Sequence, residues 1–342
     1  MNYVLTDNEL RQRQALDLDS KVKFSIRRIS SFLEEYDSDH VYISYSGGLD
    51  STVMRDLVHK VDPSIPSVYL DTWMEDPRIR RYVKQTDNLI RLRPEMSLKE
   101  IISTYGWCFP SKDVAEAIYY ARLGKQWANN KLRGLDRNGN ESRYRQQYKK
   151  YLPLVEWDIL ISPFCCDKQK EEVVMKFEKE KDMHPFIGTR AEESSRRKEA
   201  YLRTGCNTLS KSYILDAKSG KKKEKVNRRP CSRPLSIWLE QDIYQYAVRE
   251  KLHIPEPYGD IYRVGTCPGQ MSFFEGYGKL TCSGNKRTGC IFCPVHCHLD
   301  NFAKFKNIKS YNKKLYDYCM DELGERKLLE MIRKQFGGNY EI

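Results

Sequence analysis

VYISYSGGLDSTVMRDLV, residues 41–58, passes from alternating apolar residues into two glycines, two serines and an aspartate, then into a helical pattern. The first half reads as a strand; Val53, Leu57 and Val58 give the second half one apolar helical face. A loop joining a parallel strand to its helix lies at the carboxyl edge of a sheet, where open α/β folds bind ligands. Gly47 and Gly48 let the backbone approach an anion closely, and the amides that open the helix direct N–H groups and the helix dipole at negative charge. Ser46 and Ser51 add hydroxyl donors, and Asp50 suits a helix cap or a magnesium ligand. The pattern is neither the Walker A loop nor the Rossmann G-x-G-x-x-G. A bare S-G-G would be only a turn; flanked by strand and helix, this one reads as an anion cradle.

The same order recurs outward. SVYLD (67–71) and NLIRL (88–92) read as further short strands, with a helix from Pro77 between them. Ser97 and Glu100 form a capping box, and helices follow over 111–126 and 167–180. FIGTR (186–190) reads as a buried strand, YILDAKSGKKKEKVNRRP (213–230) as a ribbon, and WDILISPF (157–164) as strand-like. Upstream, Val22, Ile26, Ile29 and Leu33 share a helical face; downstream, Trp238, Ile243 and Tyr246 do. Strand and helix in alternation predict an α/β fold with a doubly wound parallel sheet. Its expected parts are a helical segment (1–36), a nucleotide-binding domain (37–254) with an insertion at 121–150, and a Cys-rich, helical region (255–342).

The 342 residues can bury a full core, and no apolar run approaches the roughly 20 residues that cross a bilayer. The polar N-terminus carries no signal-peptide pattern, so a cytoplasmic protein is expected, without membrane attachment. Lys and Arg number 59 against 47 Asp and Glu, a formal net charge of +12. Residues 121–150 concentrate this excess: Arg122, Lys125, Lys131, Arg133, Arg137, Arg143, Arg145, Lys149 and Lys150 face only Asp136 and Glu141. KKKEKVNRR (221–229) is a second basic run. Either alone reads as a solvated face or a loop; together they make DNA or tRNA a candidate partner.

SGGLDS in this setting resembles the PP-loop of the ATP pyrophosphatases. Three further segments resemble the sulfonucleotide (phosphoadenylyl-sulfate) reductase branch of that superfamily. They are YLDTWMEDPRIRRYV (69–83) with Asp71, GTRAEESSRR (188–197) with Arg190 and Arg197, and RPLSIWLEQDIYQYA (233–247). The resemblance implies an adenine nucleotide alpha-hydrolase-like fold. It also implies a nucleotide, ATP or an adenylyl-sulfate nucleotide, held with Mg2+ by Ser46, Gly47, Gly48, Asp50, Ser51, Asp71, Arg190 and Arg197. Asp50 and Arg190 become the expected catalytic residues. On their own chemistry, Arg190 beyond its strand suits bidentate anion binding, whereas Arg197 can equally pair with Glu192 or Glu193.

Eleven cysteines in a reducing compartment point to metal or catalysis rather than disulfides. Cys290-x2-Cys293 can hold a metal or cluster, with Cys165-Cys166 as the distant pair. That arrangement resembles the 4Fe–4S ligands of the assimilatory adenylyl-sulfate reductases. An alternative set, Cys282, Cys290, Cys293 and Cys297, resembles the cluster ligands of the ATP pyrophosphatase subunit in DNA phosphorothioation systems, and also suits Zn2+. Cys108, Cys206, Cys231, Cys267 and Cys319 read as buried thiols. The reductases' nucleophilic tail cysteine has no counterpart after Cys319. The expectation is therefore an ATP pyrophosphatase-type enzyme that adenylates a substrate, nucleic acid by its charge, for sulfur transfer from a cysteine desulfurase or other donor. A sulfonucleotide reductase with its thiol supplied by Cys206 or a partner, and a non-catalytic nucleotide sensor, are the alternatives.

Overall fold

A computed structural model describes residues 5–209, 211–215, 222–226, 229–264, 278–286, 289–299 and 302–337. Cys267, the turn of the expected ribbon and part of the second basic run lie outside the described residues. The chain divides into two compact units gathered from separated segments. Met1–Asp71, Asp76–Leu92 and Lys176–Thr288 form the first; Thr72–Glu75, Arg93–Met175 and Gly289–Ile342 form the second. These units interleave along the chain, whereas the expected boundaries follow sequence order.

The strands of the first unit are β1 (Val41–Ser44), β2 (Ser67–Leu70), β3 (Leu89–Leu92), β4 (His184–Ile187), β5 (Asn207–Thr208), β6 (Lys211–Leu215), β7 (Lys222–Val226), β8 (Cys231–Ser232), β9 (Ile261–Val264) and β10 (Lys279–Cys282). Six of them make one sheet in the order β3-β2-β1-β4-β8-β5, parallel except for β5 against β8. The α/β, mostly parallel architecture expected from the sequence is the observed one. β1 sits at its centre, and Val41, Tyr42 and Ile43 are all buried, as a strand covered on both faces requires. The residues read as the inward helical face, Val53, Leu57 and Val58, are fully buried beside Phe186 and Trp238. The ribbon is present as antiparallel β6 and β7, and β9 pairs with β10 as a second hairpin.

Two readings change. In the helix Leu18–Leu33 the buried stripe is Lys21, Ser25, Ile29 and Phe32, while Val22, Ile26 and Leu33 are only partly covered. The stripe can turn polar because each polar group has a buried partner: the Lys21 ammonium lies 2.6 Å from Asp242, and Ser25 Oγ donates to Pro234 O and accepts from Trp238 Nε1. Apolar periodicity cannot anticipate such a pairing. WDILISPF is not a strand; it contributes one isolated parallel bridge between Trp107 and Ile161.

The second unit is mainly helical, around Phe109, Ile118, Leu132, Phe292, Phe305, Leu328 and Leu329. Its basic segment is folded rather than a loose loop. The helix Gln126–Leu132 and the 3-10 stretch Arg143–Glu156 bury Ala128, Leu132, Tyr151 and Leu154. Arg122 is structural here, donating to the carbonyls of Leu154, Val155, Trp157 and Ile159.

Glu325, in the first turn of the helix Glu325–Phe336, is fully buried, and neither carboxyl oxygen has a hydrogen-bond partner among the described residues. Burial therefore pushes its carboxyl well above the ordinary value. At acid pH, folded and unfolded chains are both protonated there and ionisation adds no penalty. As pH rises past the ordinary value the unfolded chain ionises first, and stability falls until the folded carboxyl also titrates. Glu325→Gln should thus be more stable than wild type near pH 7, with the gap closing near pH 4. Denaturant unfolding at both pH values checks this; an equal gap at both would contradict it.

Candidate nucleotide site and thiol cluster

The carboxyl ends of β1 and β4 lie side by side, with Ser44 opposite Ile187. This register delivers the loop after β1 and the corner after β4 to the same edge of the sheet. Gly47 adopts φ +71°, and a Cβ there would lie 2.4 Å from Val83 Cγ2 and 2.9 Å from Ile79 Cγ2. Gly188 is pressed against the new helix: its Cβ would stand 3.1 Å from Asp50 O and 3.2 Å from Ser51 Cα. Gly48, not Asp50, occupies the N-cap of the helix Leu49–His59, and no side chain of the described residues caps it.

The donors of the loop are set by internal partners. Ser46 N–H donates to Ser51 Oγ (3.3 Å) and Gly48 N–H to Ser46 Oγ (3.2 Å). Ser51 Oγ donates to Gly48 O (2.8 Å), which turns that hydroxyl inward. Leu49 N–H donates to the Tyr258 hydroxyl (3.1 Å). Tyr258 escapes a sequence reading: it comes from a distant 3-10 turn, Glu256–Tyr258, and nothing in PEPYGD marks it.

Arg190 lies beside the loop. Its Nε lies 2.5 Å from Asp50 Oδ1 and its Nη1 2.5 Å from Glu192 Oε2, and the side chain is buried. Arg197 takes the other course weighed for it and pairs with Glu193. Asp71, at the end of β2, is fully buried between Arg80 (2.9 Å) and Arg91. Burial alone would raise its carboxyl; the two guanidiniums overcome that and hold it below the ordinary value.

The thiols fall into separate settings. In the second unit Cys165, Cys166, Cys290 and Cys293 lie within electrostatic reach of one another, with Cys108 hydrogen-bonded to Cys166. That bond pulls Cys166 down to about 6 against its burial, helped by Lys170 and Lys112, and pushes Cys108 up. Burial and the neighbouring sulfurs push Cys165 up. Burial also raises Cys290, whose sulfur is hydrogen-bonded to Lys170. In the first unit Cys282 is buried, 3.7 Å from the Tyr244 hydroxyl and facing the carbonyl of Asn285 (3.5 Å). Cys297 is fully buried in the core of the second unit. The tandem pair and C-x-x-C are thus neighbours, and Cys282 has other described partners. Among the described residues no group of three or more His, Cys, Asp or Glu side chains is arranged as a metal site, and none of the described cysteines forms a disulfide. No helix among them is long and apolar enough to cross a membrane.

Gly47→Ala combines left-handed strain with overpacking against Val83 and Ile79, each costing about 1–3 kcal/mol. The variant should unfold at clearly lower denaturant and lose affinity for nucleotide. An unchanged midpoint with unchanged affinity would contradict this account of the loop.

Compared with known proteins, no curated sequence matches the chain. Among solved structures, phosphoadenylyl-sulfate (PAPS) reductase from Candida auris, a phosphate complex, is similar at 12% identity and a TM-score of 0.36, over 75% of this chain and 92% of that one. The model of the phosphoadenosine phosphosulfate reductase domain matches residues 40–295, a span that contains the loop, the Arg190 corner and both cysteine pairs. The chain belongs to the phosphoadenosine phosphosulfate reductase domain family, the sulfonucleotide reductase-like branch of the PP-loop superfamily.

Proposed function

We propose that this family member binds ATP at the PP-loop and adenylates an acceptor, with nucleic acid as the acceptor class. The observation that carries the reading is the state of the thiols a reductase would need. Cys206, buried in the first unit, is pushed up to about 12 by its burial, and Cys319 is raised by burial within a π-helical turn, Tyr318–Glu322. Neither is available as a thiolate nucleophile. The PP-loop amides, the helix dipole and Arg190 instead match the charge of a polyphosphate.

In this reading the amides of residues 46–51 and the Ser46 hydroxyl hold the β,γ-phosphates. Arg190 leaves Asp50 for the phosphates, and Asp50, half-exposed, becomes the carboxylate that meets Mg2+. An acceptor oxygen forms a bond to the α-phosphorus as the bond from that phosphorus to the bridging oxygen breaks. The electron pair departs with pyrophosphate, whose charge the loop and Arg190 stabilise. A sulfur nucleophile from a donor such as a cysteine desulfurase then forms a bond to the activated atom, and AMP leaves.

Four thiols, Cys165, Cys166, Cys290 and Cys293, suit a 4Fe–4S cluster in number and kind, and Zn2+ in the alternative. Lys170 and Lys112 supply the positive charge that such an anionic group calls for. A bound cluster supplies redox capacity. The family match favours a second reading, a sulfonucleotide reductase whose attacking thiol a partner protein supplies.

Pyrophosphate release from ATP and Mg2+, measured with and without single-stranded and duplex nucleic acid, tests the proposal. It predicts acceptor-dependent release that drops about 10²–10³-fold in Arg190→Ala. Sulfite formed from adenylyl sulfate and a thiol reductant, without pyrophosphate release from ATP, would favour the second reading. An anaerobic preparation with thiolate-to-iron absorbance that is lost in both Cys165→Ser and Cys290→Ser, but kept in Cys282→Ser, identifies the ligand set.

A further inference from the structure

The basic segment of the second unit encloses a groove of ≈ 650 Å³ lined by Trp127, Lys131, Arg137, Tyr144, Arg145 and Tyr148. Its size falls in the range of about 300–1,000 Å³ that holds small ligands. Its lining mixes three flat rings with three cations; Tyr148 packs against the core, whereas Trp127 and Tyr144 are exposed. Tyr144 is 87% exposed and Trp127 41% exposed. Trp127 packs against Tyr120, ring centroids 5.5 Å apart.

The cations divide by what they already hold. Lys131 pairs with Asp113 at 2.6 Å and lies 4.9 Å over the Tyr148 ring, while the Tyr148 hydroxyl donates to Asp113 at 2.9 Å. These three form the floor. Arg145 spends Nη1 on the Leu135 carbonyl (2.7 Å), which fixes the guanidinium at the wall. Arg137 stands exposed on the turn, with no ion pair among the described residues. The one acidic residue beside it, Asp136, points its carboxylate at the N–H groups of Asn138 and Asn140 in its own turn. The groove therefore keeps net positive charge at its rim and offers aromatic faces within it.

The geometry points to a binding site for single-stranded nucleic acid, in which unpaired bases stack on Trp127 and Tyr144 while Arg137 and Arg145 contact the flanking phosphates. A base presents a π-face whatever its identity, so exposed rings set among cations capture unpaired strands with little sequence preference. A duplex keeps its bases stacked inside and cannot offer those faces. The site deepens the proposed reading of the acceptor as nucleic acid, and rests on that reading for its role, though not for its binding.

Fluorescent DNA and RNA oligonucleotides, single-stranded and duplex, titrated into the full-length protein at several salt concentrations test it. Single strands should bind more tightly than duplex, and the tighter of DNA and RNA identifies the source. Tyr144→Ala and Trp127→Ala should each weaken binding roughly 5- to 100-fold. Arg137→Ala should lower the slope of log affinity against log salt by about 1. Tyr144 and Arg137 are exposed, so their variants keep the test valid even if Trp127→Ala disturbs packing. Absent binding, preference for duplex, or affinity unchanged in all three variants would overturn the assignment. Oligonucleotide binding retained in an enzyme that releases no pyrophosphate would remove the ATP reading and leave this site standing. Pyrophosphate release without oligonucleotide binding would do the reverse.

Discussion

The N-terminal turn of the helix Leu49–His59 is wedged between close neighbours, and the candidate nucleotide site depends on that fit. Val83 and Ile79 press on Gly47 from one direction, and the backbone of Asp50 and Ser51 meets Gly188 from another. Only hydrogen fits at either glycine without displacing a neighbour. The close approach holds the corner after β4 against the start of the helix, and so fixes Arg190 beside the loop.

The charge at this edge is balanced before any ligand arrives. Arg190 lies against Asp50 and Glu192, and the Leu49 amide against Tyr258. An entering anion must exchange with these partners, which costs affinity but keeps a buried guanidinium from standing unpaired. A ligand carrying several phosphate charges can meet that cost. Asp71 is likewise paired, with Arg80 and Arg91.

Much of this was legible in the sequence because it rests on local patterns. The alternation before Ser46, the inward face of Val53, Leu57 and Val58, and the Ser97 capping box each follow from neighbours a few residues apart. The adjacency of Asp50 and Arg190 follows from parallel pairing once both strands are found. What escaped depends on distant partners. Lys21 is buried because Asp242 neutralises it, and Tyr258 reaches the loop from a turn with no motif. WDILISPF has the composition of a strand, yet its only described ladder contact is a single bridge to Trp107. The basic insertion looked like solvated charge because composition does not show that Arg122 is spent on four carbonyls or that Trp127 and Tyr144 share a groove with Arg137.

The central claim is that the glycine-serine loop and Arg190 hold the pyrophosphate of ATP. Calorimetric titration of ATP and of adenylyl sulfate, each with Mg2+, into wild type and Arg190→Ala tests it most directly. The account predicts that ATP binds more tightly than adenylyl sulfate and loses at least about tenfold on removal of Arg190, as a charge-assisted contact worth about 1.5–3 kcal/mol requires. Tight binding of adenylyl sulfate with no measurable binding of ATP would contradict it.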